Sequence, residues 1–242
     1  MRHSTSQSEH NDITRALNDL KLMLLDETAE PKALPLSLLR DITNDFSEDR
    51  RIGTGGFATV YKGILENGLS VAVKRMYYSN LDDNDFHQEI QCLIEAKHKN
   101  IVRCLGYCFE SHGEMVRYNG KFVMAEVQHR LLCFEYLSKD GSSGLEWRMR
   151  YQIIKGICQG LHYLHAKHIV HLDLNPTNIL LDDNMVPKIA GFGISRCFGK
   201  DETIYTETLR GTPGYIAPQR MDSTKITIYS NIFSLGVVIL LS

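Results

Sequence analysis

A glycine-rich turn between two strand-like runs limits what this chain can become. The turn reads Gly53-Thr54-Gly55-Gly56-Phe57-Ala58-Thr59-Val60, and Lys74 comes fourteen residues after Val60, at the end of the apolar run Val71-Ala72-Val73. Glycines carry no β-carbon, so backbone N–H groups can approach anionic oxygens closely. A lysine on the adjoining strand adds a point charge for the same kind of ligand. Glu66-Asn67-Gly68 between the runs is a hairpin signal. Such a turn is a weak indicator alone, and its weight comes from the ordered segments downstream of it.

There are four of these. Asp85 to Lys97 has helical spacing, with Phe86, Ile90, Leu93 and Ile94 on one face and Glu89 among them. His171-Leu172-Asp173-Leu174-Asn175-Pro176-Thr177-Asn178 leads into the strand-like Ile179-Leu180-Leu181. Lys188-Ile189-Ala190-Gly191-Phe192-Gly193 comes next, and then Gly211-Thr212-Pro213-Gly214-Tyr215-Ile216-Ala217-Pro218-Gln219. In this order and at these separations the set resembles the ATP site of protein kinases. From about Phe46 onward the chain most resembles plant receptor-like serine/threonine kinases, including cytoplasmic forms without an ectodomain.

The resemblance implies an α+β, bilobal fold. Residues 46-137 would be a small β-rich N-lobe, and residues 138-242 a mainly helical, incomplete C-lobe. It also implies roles. Lys74 would hold the α and β phosphates of ATP, oriented by Glu89. Ile52, Gly53, Gly55, Val60, Ala72, Phe134, Glu135, Leu137 and Leu180 would line the nucleotide. Asp173 would be the catalytic base, Thr212 its companion from the substrate-binding loop, and Asn178 a magnesium ligand. His171 would pack under Phe192.

Several positions depart from the family pattern. Gly191 stands where an aspartate holds magnesium, and glycine offers no carboxylate. A charge lost about 4 Å from a cation forfeits on the order of 4 kcal/mol at a protein-like dielectric, which is about a thousandfold in rate. Asn175 replaces a lysine that would neutralise the moving phosphoryl group. Leu172 replaces an arginine that grips an activation-loop phosphate, so control by phosphorylation of Ser195, Thr203, Tyr205, Thr206 or Thr208 is not expected. Ala58, Gln219 and Asn231 replace a glycine, a glutamate and an aspartate. An aspartate restored at 191 is expected to regain some metal binding but little transfer, since Asn175 remains.

Outside these motifs, residues 1-12 are polar and expected to be disordered. Ile13, Leu17, Leu20 and Leu24 predict a short amphipathic helix capped by Asp12, and Pro31 and Pro35 mark a linker up to residue 45. Leu39 to Phe46 reads as a short helix. Strands are expected at Val102 to Phe109 and Leu131 to Tyr136. The long connection between them, turning at Tyr118-Asn119-Gly120-Lys121, predicts an extended hairpin. Tyr151 to His165 is a strong amphipathic helix, and Ser230 to Ser242 begins a buried one. Residues 138-144 leave room for one or two fewer helical turns than the family has.

The chain has 242 residues, 43% hydrophobic, with a net charge of -2 at pH 7. That balance gives no nucleic-acid or membrane surface driven by charge. The run Gly236 to Leu241 is too short to span a bilayer, and the polar N-terminus has no secretory signal, so a cytoplasmic location is expected. The six cysteines form no C-x-x-C pair and read as reduced core residues. A metal cluster of Cys104, Cys108 and His112 is rejected on spacing.

Three readings stand. The chain is an active serine/threonine kinase, a pseudokinase acting by binding a signalling partner, or a decayed product that barely folds. Nucleotide binding little helped by magnesium favours the second, and the alternative partner is a protein substrate.

Overall fold

The computed structural model describes residues 2-77, 83-138, 146-199, 203-206, 208-223 and 225-241. The region 138-144, where the sequence predicts a shortened connection, lies almost wholly outside them. The chain is α+β and divides into two compact units, Met1–Leu81 with Cys104–Tyr136 and Asp82–Arg103 with Leu137–Ser242.

The first unit is built on a six-stranded sheet. Its members are β1 (Lys32–Ala33), β2 (Arg51–Thr54), β3 (Ala58–Ile64), β4 (Ser70–Met76), β5 (Cys104–Tyr118) and β6 (Lys121–Glu135), in the order β1-β5-β6-β4-β3-β2. All pairings are antiparallel except β1 with β5. Tyr61, Val71, Val73, Leu131 and Cys133 are buried on one side of the sheet, in a single cluster with residues from before residue 46. The turn after β3 forms at Gly68, whose φ of 84 needs glycine.

The predicted extended hairpin is present and long. β5 and β6 pair continuously from Phe109 with Arg130 out to Tyr118 with Lys121. Asn119 (φ 49) and Gly120 (φ 80) make the two-residue turn, both in the left-handed region that matches strand twist.

The N-terminal segment departs from expectation. Helix α1 runs over Arg2–Leu25, so residues 2-12 are helical and Asp12 lies inside the helix instead of capping it. The anchored half nucleates the helix, and extending it by further residues is cheap. Leu20 and Met23 are buried, with Ile13, Ala16, Leu17 and Leu24 packed beside them. A second helix, α2 (Leu36–Ile42), adds buried Leu36, Leu38, Leu39 and Ile42 to the same cluster. It begins earlier than the predicted Leu39, directly after Pro35, whose φ of -68 suits a helix entry. Residues 13-42, set apart in the sequence as helix and linker, therefore contribute to the core of the first unit.

The second unit opens with α3 (Asp83–Glu95) and is organised around α4 (Trp147–Ala166). Gly156, Ile157, Gly160, Leu161 and Leu164 make the buried face of α4 at helical spacing. Short strands come after it: β7 (Ile169–Val170), β8 (Ile179–Leu181), β9 (Pro187–Ile189), β10 (Arg196–Cys197), β11 (Ile204–Tyr205) and β12 (Lys225–Ile226). They pair as β8 with β9, β7 with β10 and β11 with β12, all antiparallel. Asn100 ties the segment after α3 to β9: its carbonyl accepts from Ile189 N–H at 2.9 Å and its amide donates to the Pro187 carbonyl at 2.9 Å.

Helices α5 (Pro218–Ser223) and α6 (Ile228–Leu241) complete the unit. Helix α6 is less buried than its sequence predicts. Its inward line is Ser230, Asn231, Ser234 and Val238, while Ile232, Phe233, Ile239, Leu240 and Leu241 are exposed. Two of these inward side chains bond to backbone: the Ser234 hydroxyl donates to the Tyr215 carbonyl at 2.7 Å, and Asn231 Oδ1 accepts from Leu172 N–H at 3.0 Å. None of the described helices is long and apolar enough to cross a membrane. All six cysteines are free; Cys92, Cys104, Cys108 and Cys133 are buried, whereas Cys158 is exposed.

Candidate active site

In the first unit, register brings several of the predicted nucleotide-contacting residues to one face. Val60 pairs with Lys74, Lys62 with Ala72, and Ala72 with Phe134. Residues directly opposite in a ladder share a side. Val60, Ala72, Lys74 and Phe134 are all half-buried there, while Tyr61, Val71 and Val73 face the core. Gly53 pairs with Val60 across a register shift next to Ile52, and Gly55 N–H closes the turn on the Ala58 carbonyl at 2.9 Å. Glu135 pairs with Val71 and so takes the other side of the sheet from Phe134.

In the second unit, Glu89 is buried on α3, Leu137 is half-buried, and Leu180 is half-buried on β8 opposite Lys188. Asp173 lies at the centre of a dense set of donors. Its Oδ1 accepts from Thr212 N–H at 3.0 Å, from the Thr212 hydroxyl at 2.6 Å and from the Asn175 amide at 3.2 Å. Its Oδ2 accepts from the Asn178 amide at 3.0 Å. The structure thus brings Asp173, Asn178 and Thr212 together.

Asn175 has two jobs in this arrangement. Its Nδ2 donates to Asp173 and, at 3.0 Å, to the Thr212 hydroxyl. Its Oδ1 caps the 3-10 turn Pro176–Asn178, accepting from Thr177 N–H at 2.9 Å and the Thr177 hydroxyl at 2.6 Å. A short polar side chain at the cap, with proline at the first helical position, is a standard start for such a turn.

The backbone around Asp173 is held from below. His171 Nε2 meets the Ala190 carbonyl at 2.7 Å and its Nδ1 accepts from Asp173 N–H at 3.2 Å, which fixes the tautomer with the proton on Nε2. Its ring meets Phe192 edge-on at 4.9 Å. Leu172 adopts φ 70, a strained value for leucine. Its N–H donates to Asn231 Oδ1 at 3.0 Å, and the Asn231 amide faces His165 Nε2 at 3.2 Å. An amide donating to that nitrogen requires a neutral ring, and burial, with His162 nearby, pushes His165 below the usual histidine range. Ser195 is buried with its hydroxyl on the His171 carbonyl at 3.0 Å, so it is no accessible acceptor.

Gly191 has φ 84, and a β-carbon built on it would run into the side-chain amide of Asn178. Magnesium takes near-octahedral oxygen ligands and is usually held by one or two carboxylates plus phosphates. Here Asp173 is already engaged by four donors, and position 191 supplies none. Asp182 accepts from Asn184 and Val186 N–H, and Asp183 from the Ser138 hydroxyl, so both are committed to their own turn. This donor set does not fit a magnesium ion held in the usual way.

Sequence reasoning missed two charged groups near this centre. Asp85 on α3 takes Arg196 on Oδ1 at 2.8 Å and Arg210 on Oδ2 at 2.5 Å, tying the helix to both sides of the segment before Thr212. Arg220, buried on α5, is pulled down from the usual guanidinium value by burial and by Arg196, and pushed back up by Asp173. Neither has a local motif that announces it. Gln219 beside it is exposed.

The protein kinase domain family matches residues 46–241. The chain is 37% identical over 229 residues to cysteine-rich receptor-like protein kinase 41 of Arabidopsis thaliana, covering 92% of this chain and 33% of that protein. It is 36% identical to cysteine-rich receptor-like protein kinase 44, covering 93% and 57%, and 38% identical to receptor-like serine/threonine-protein kinase SD1-7, covering 88% and 25%, both from the same plant. The chain spans between a quarter and somewhat over half the length of these relatives. It belongs to the protein kinase family, with a kinase domain of the receptor-like serine/threonine type.

Proposed function

We propose that this domain is an impaired kinase: it keeps a nucleotide-binding face and a catalytic-loop geometry but transfers phosphate poorly, and acts mainly by binding a signalling partner. Protein kinases as a family use ATP with magnesium and modify protein hydroxyls. The observation that carries our reading is Gly191, whose missing side chain leaves no carboxylate and whose β-carbon position is filled by Asn178. The asparagine at 175 adds to it, since an amide brings no positive charge to the moving phosphoryl group. Lys74, Glu89 and the residues around Val60, Ala72 and Phe134 support retained nucleotide affinity.

The second reading is an active serine/threonine kinase. The hydrogen bonds from Thr212 to Asp173 favour it, because they hold a base in position without needing the metal. Transfer of labelled γ-phosphate from ATP to a general protein acceptor, with Asp173→Asn beside it, separates the two. We expect both proteins to give the same background. Turnover at about 1 s⁻¹ or faster, within the ordinary kinase range, and abolished by Asp173→Asn, would establish the active reading. A thermal-shift titration with ATP, with and without magnesium, is expected to show little difference between the two conditions.

A further inference from the structure

The long hairpin of β5 and β6 carries polar groups that phosphoryl transfer does not use. His112 and Glu114 are two residues apart on β5 and so share a face. Glu110 pairs with His129 and His112 with Val127, which puts His129 on that same face, diagonal to His112. The two imidazole rings lie 4.8 Å apart between centroids. Nε2 of His112 is 3.7 Å from Glu114 Oε1, and Nε2 of His129 is 3.6 Å from the same oxygen. The three ligand atoms all fall within 4.8 Å of one another.

One of these groups is out of place without a ligand. The side chain of His129 is only 3% exposed, and its Nε2 is buried with no hydrogen-bond partner. An unsatisfied buried nitrogen costs about 1–3 kcal/mol. It points at Glu114 yet stays beyond hydrogen-bonding distance. Two ligand atoms each ~2.1 Å from a tetrahedral zinc ion lie ~3.4 Å apart. The two histidine–glutamate separations therefore need only a small contraction to close on an ion, and the two imidazole nitrogens, within 4.8 Å of each other, need at most about 1.4 Å.

We propose that His112, Glu114 and His129 form a divalent transition-metal site, best suited to zinc. Each imidazole would give one nitrogen and Glu114 a carboxylate oxygen. Water would complete the set from the solvent side, where the His112 and Glu114 side chains are 39% and 40% exposed. Nitrogen with oxygen suits zinc, copper or nickel, whereas magnesium and calcium want oxygen alone. Burial keeps His129 neutral, with His112, Arg40 and Arg75 pushing the same way and Glu114 opposing them, and a neutral imidazole is a ready ligand.

The competing cation is Arg40 on α2, whose Nη2 lies 3.7 Å from Glu114 Oε1. It has a second counter-charge in Asp45, 3.6 Å from its Nε, so a metal displacing it from Glu114 would still leave a carboxylate beside it. The ion would cross-link the two strands of the hairpin. The site is independent of the phosphoryl-transfer reading and stands whichever way that assay falls.

The test is zinc titration of the whole chain, freed of metal by chelator and with thiols kept reduced, against a chromophoric zinc indicator. Expected are saturable binding of one equivalent and a rise in melting temperature. His112→Ala and Glu114→Gln, both at partly exposed positions, should each weaken binding by about 10–100-fold while leaving the metal-free melting temperature near that of the parent. Zinc-edge absorption should read imidazole and oxygen neighbours without sulfur. Absence of saturable binding, unchanged affinity in both variants, or sulfur at the metal would each overturn the proposal. Should His129→Asn fail to fold, the two exposed variants still decide.

Discussion

The side-chain amide of Asn178 occupies the space that a β-carbon on Gly191 would need. The same amide donates to Asp173 at two oxygens, 2.8 Å to the carbonyl and 3.0 Å to Oδ2. A residue larger than glycine at 191 must therefore either displace Asn178 from Asp173 or leave its left-handed conformation. Gly191→Ala and Gly191→Asp are both expected to lower unfolding free energy by about 2 kcal/mol, measured by urea denaturation. Gly191→Asp should gain no magnesium-dependent stabilisation by ATP, which is less than the sequence alone leads one to expect. A neutral Gly191→Ala would show that the loop yields easily and would remove the argument.

Asn175 couples stability to chemistry. Restoring the family's lysine there removes the cap on Thr177 and the amide bonds to Asp173 and Thr212. Asn175→Lys and Asn175→Ala should each cost about 1–2 kcal/mol. Any gain in phosphate transfer by Asn175→Lys should come with that loss of stability. Equal stability of all three proteins in chemical denaturation would contradict the capping role.

Asp85 holds two guanidinium groups with only 9% of its side chain exposed. Replacing it with asparagine leaves Arg196 and Arg210 facing each other without a counter-charge. The expected cost is about 2 kcal/mol, below that of a fully buried pair because Arg210 keeps some contact with water. Limited trypsin digestion should cut Asp85→Asn faster than the parent after Arg196 or Arg210. An unchanged digestion pattern would mean that Asp85 does not restrain that segment.

Three histidines set the acid side of stability. His98, His129 and His165 are all held below the ordinary histidine value, by burial first in each case. The unfolded chain therefore binds more protons than the folded one as pH falls through ~6.5, and stability falls with it. Melting temperature should drop between pH ~7.5 and ~5.5. In Asn231→Asp the carboxylate can accept from a protonated His165, so the drop should be smaller. A larger acid loss in that variant would refute the tautomer assigned to His165.

The segments of the candidate site are legible in the sequence because each is a short local motif. The order Gly53, Lys74, Asp173, Asn178, Gly191 is written in motifs, and the structure brings Asp173 and Asn178 of that series together. The β5–β6 turn is readable because Asn119-Gly120 suits two left-handed positions in succession. Other features depend on distant partners. The helical state of residues 2-12 has no pattern of its own and stems from the anchoring of Leu20 and Met23. The outward face of α6 looks like core in sequence, because nothing in it says that Asn231 and Ser234 take the inward line. His112, Glu114 and His129 are separated by most of a hairpin, and only the strand register brings them to one face.

The shared core before residue 46 bears on how this domain can be handled. The kinase-domain match begins at residue 46, but Leu34, Leu36, Leu38, Leu39 and Ile42 are packed with Tyr61, Val71 and Val73 in one core, and Leu34 N–H donates to the Tyr107 carbonyl at 2.8 Å. A recombinant fragment cut at that boundary would uncover that apolar layer and an unprotected sheet edge, inviting precipitation in the test tube. Expression should start upstream of α1.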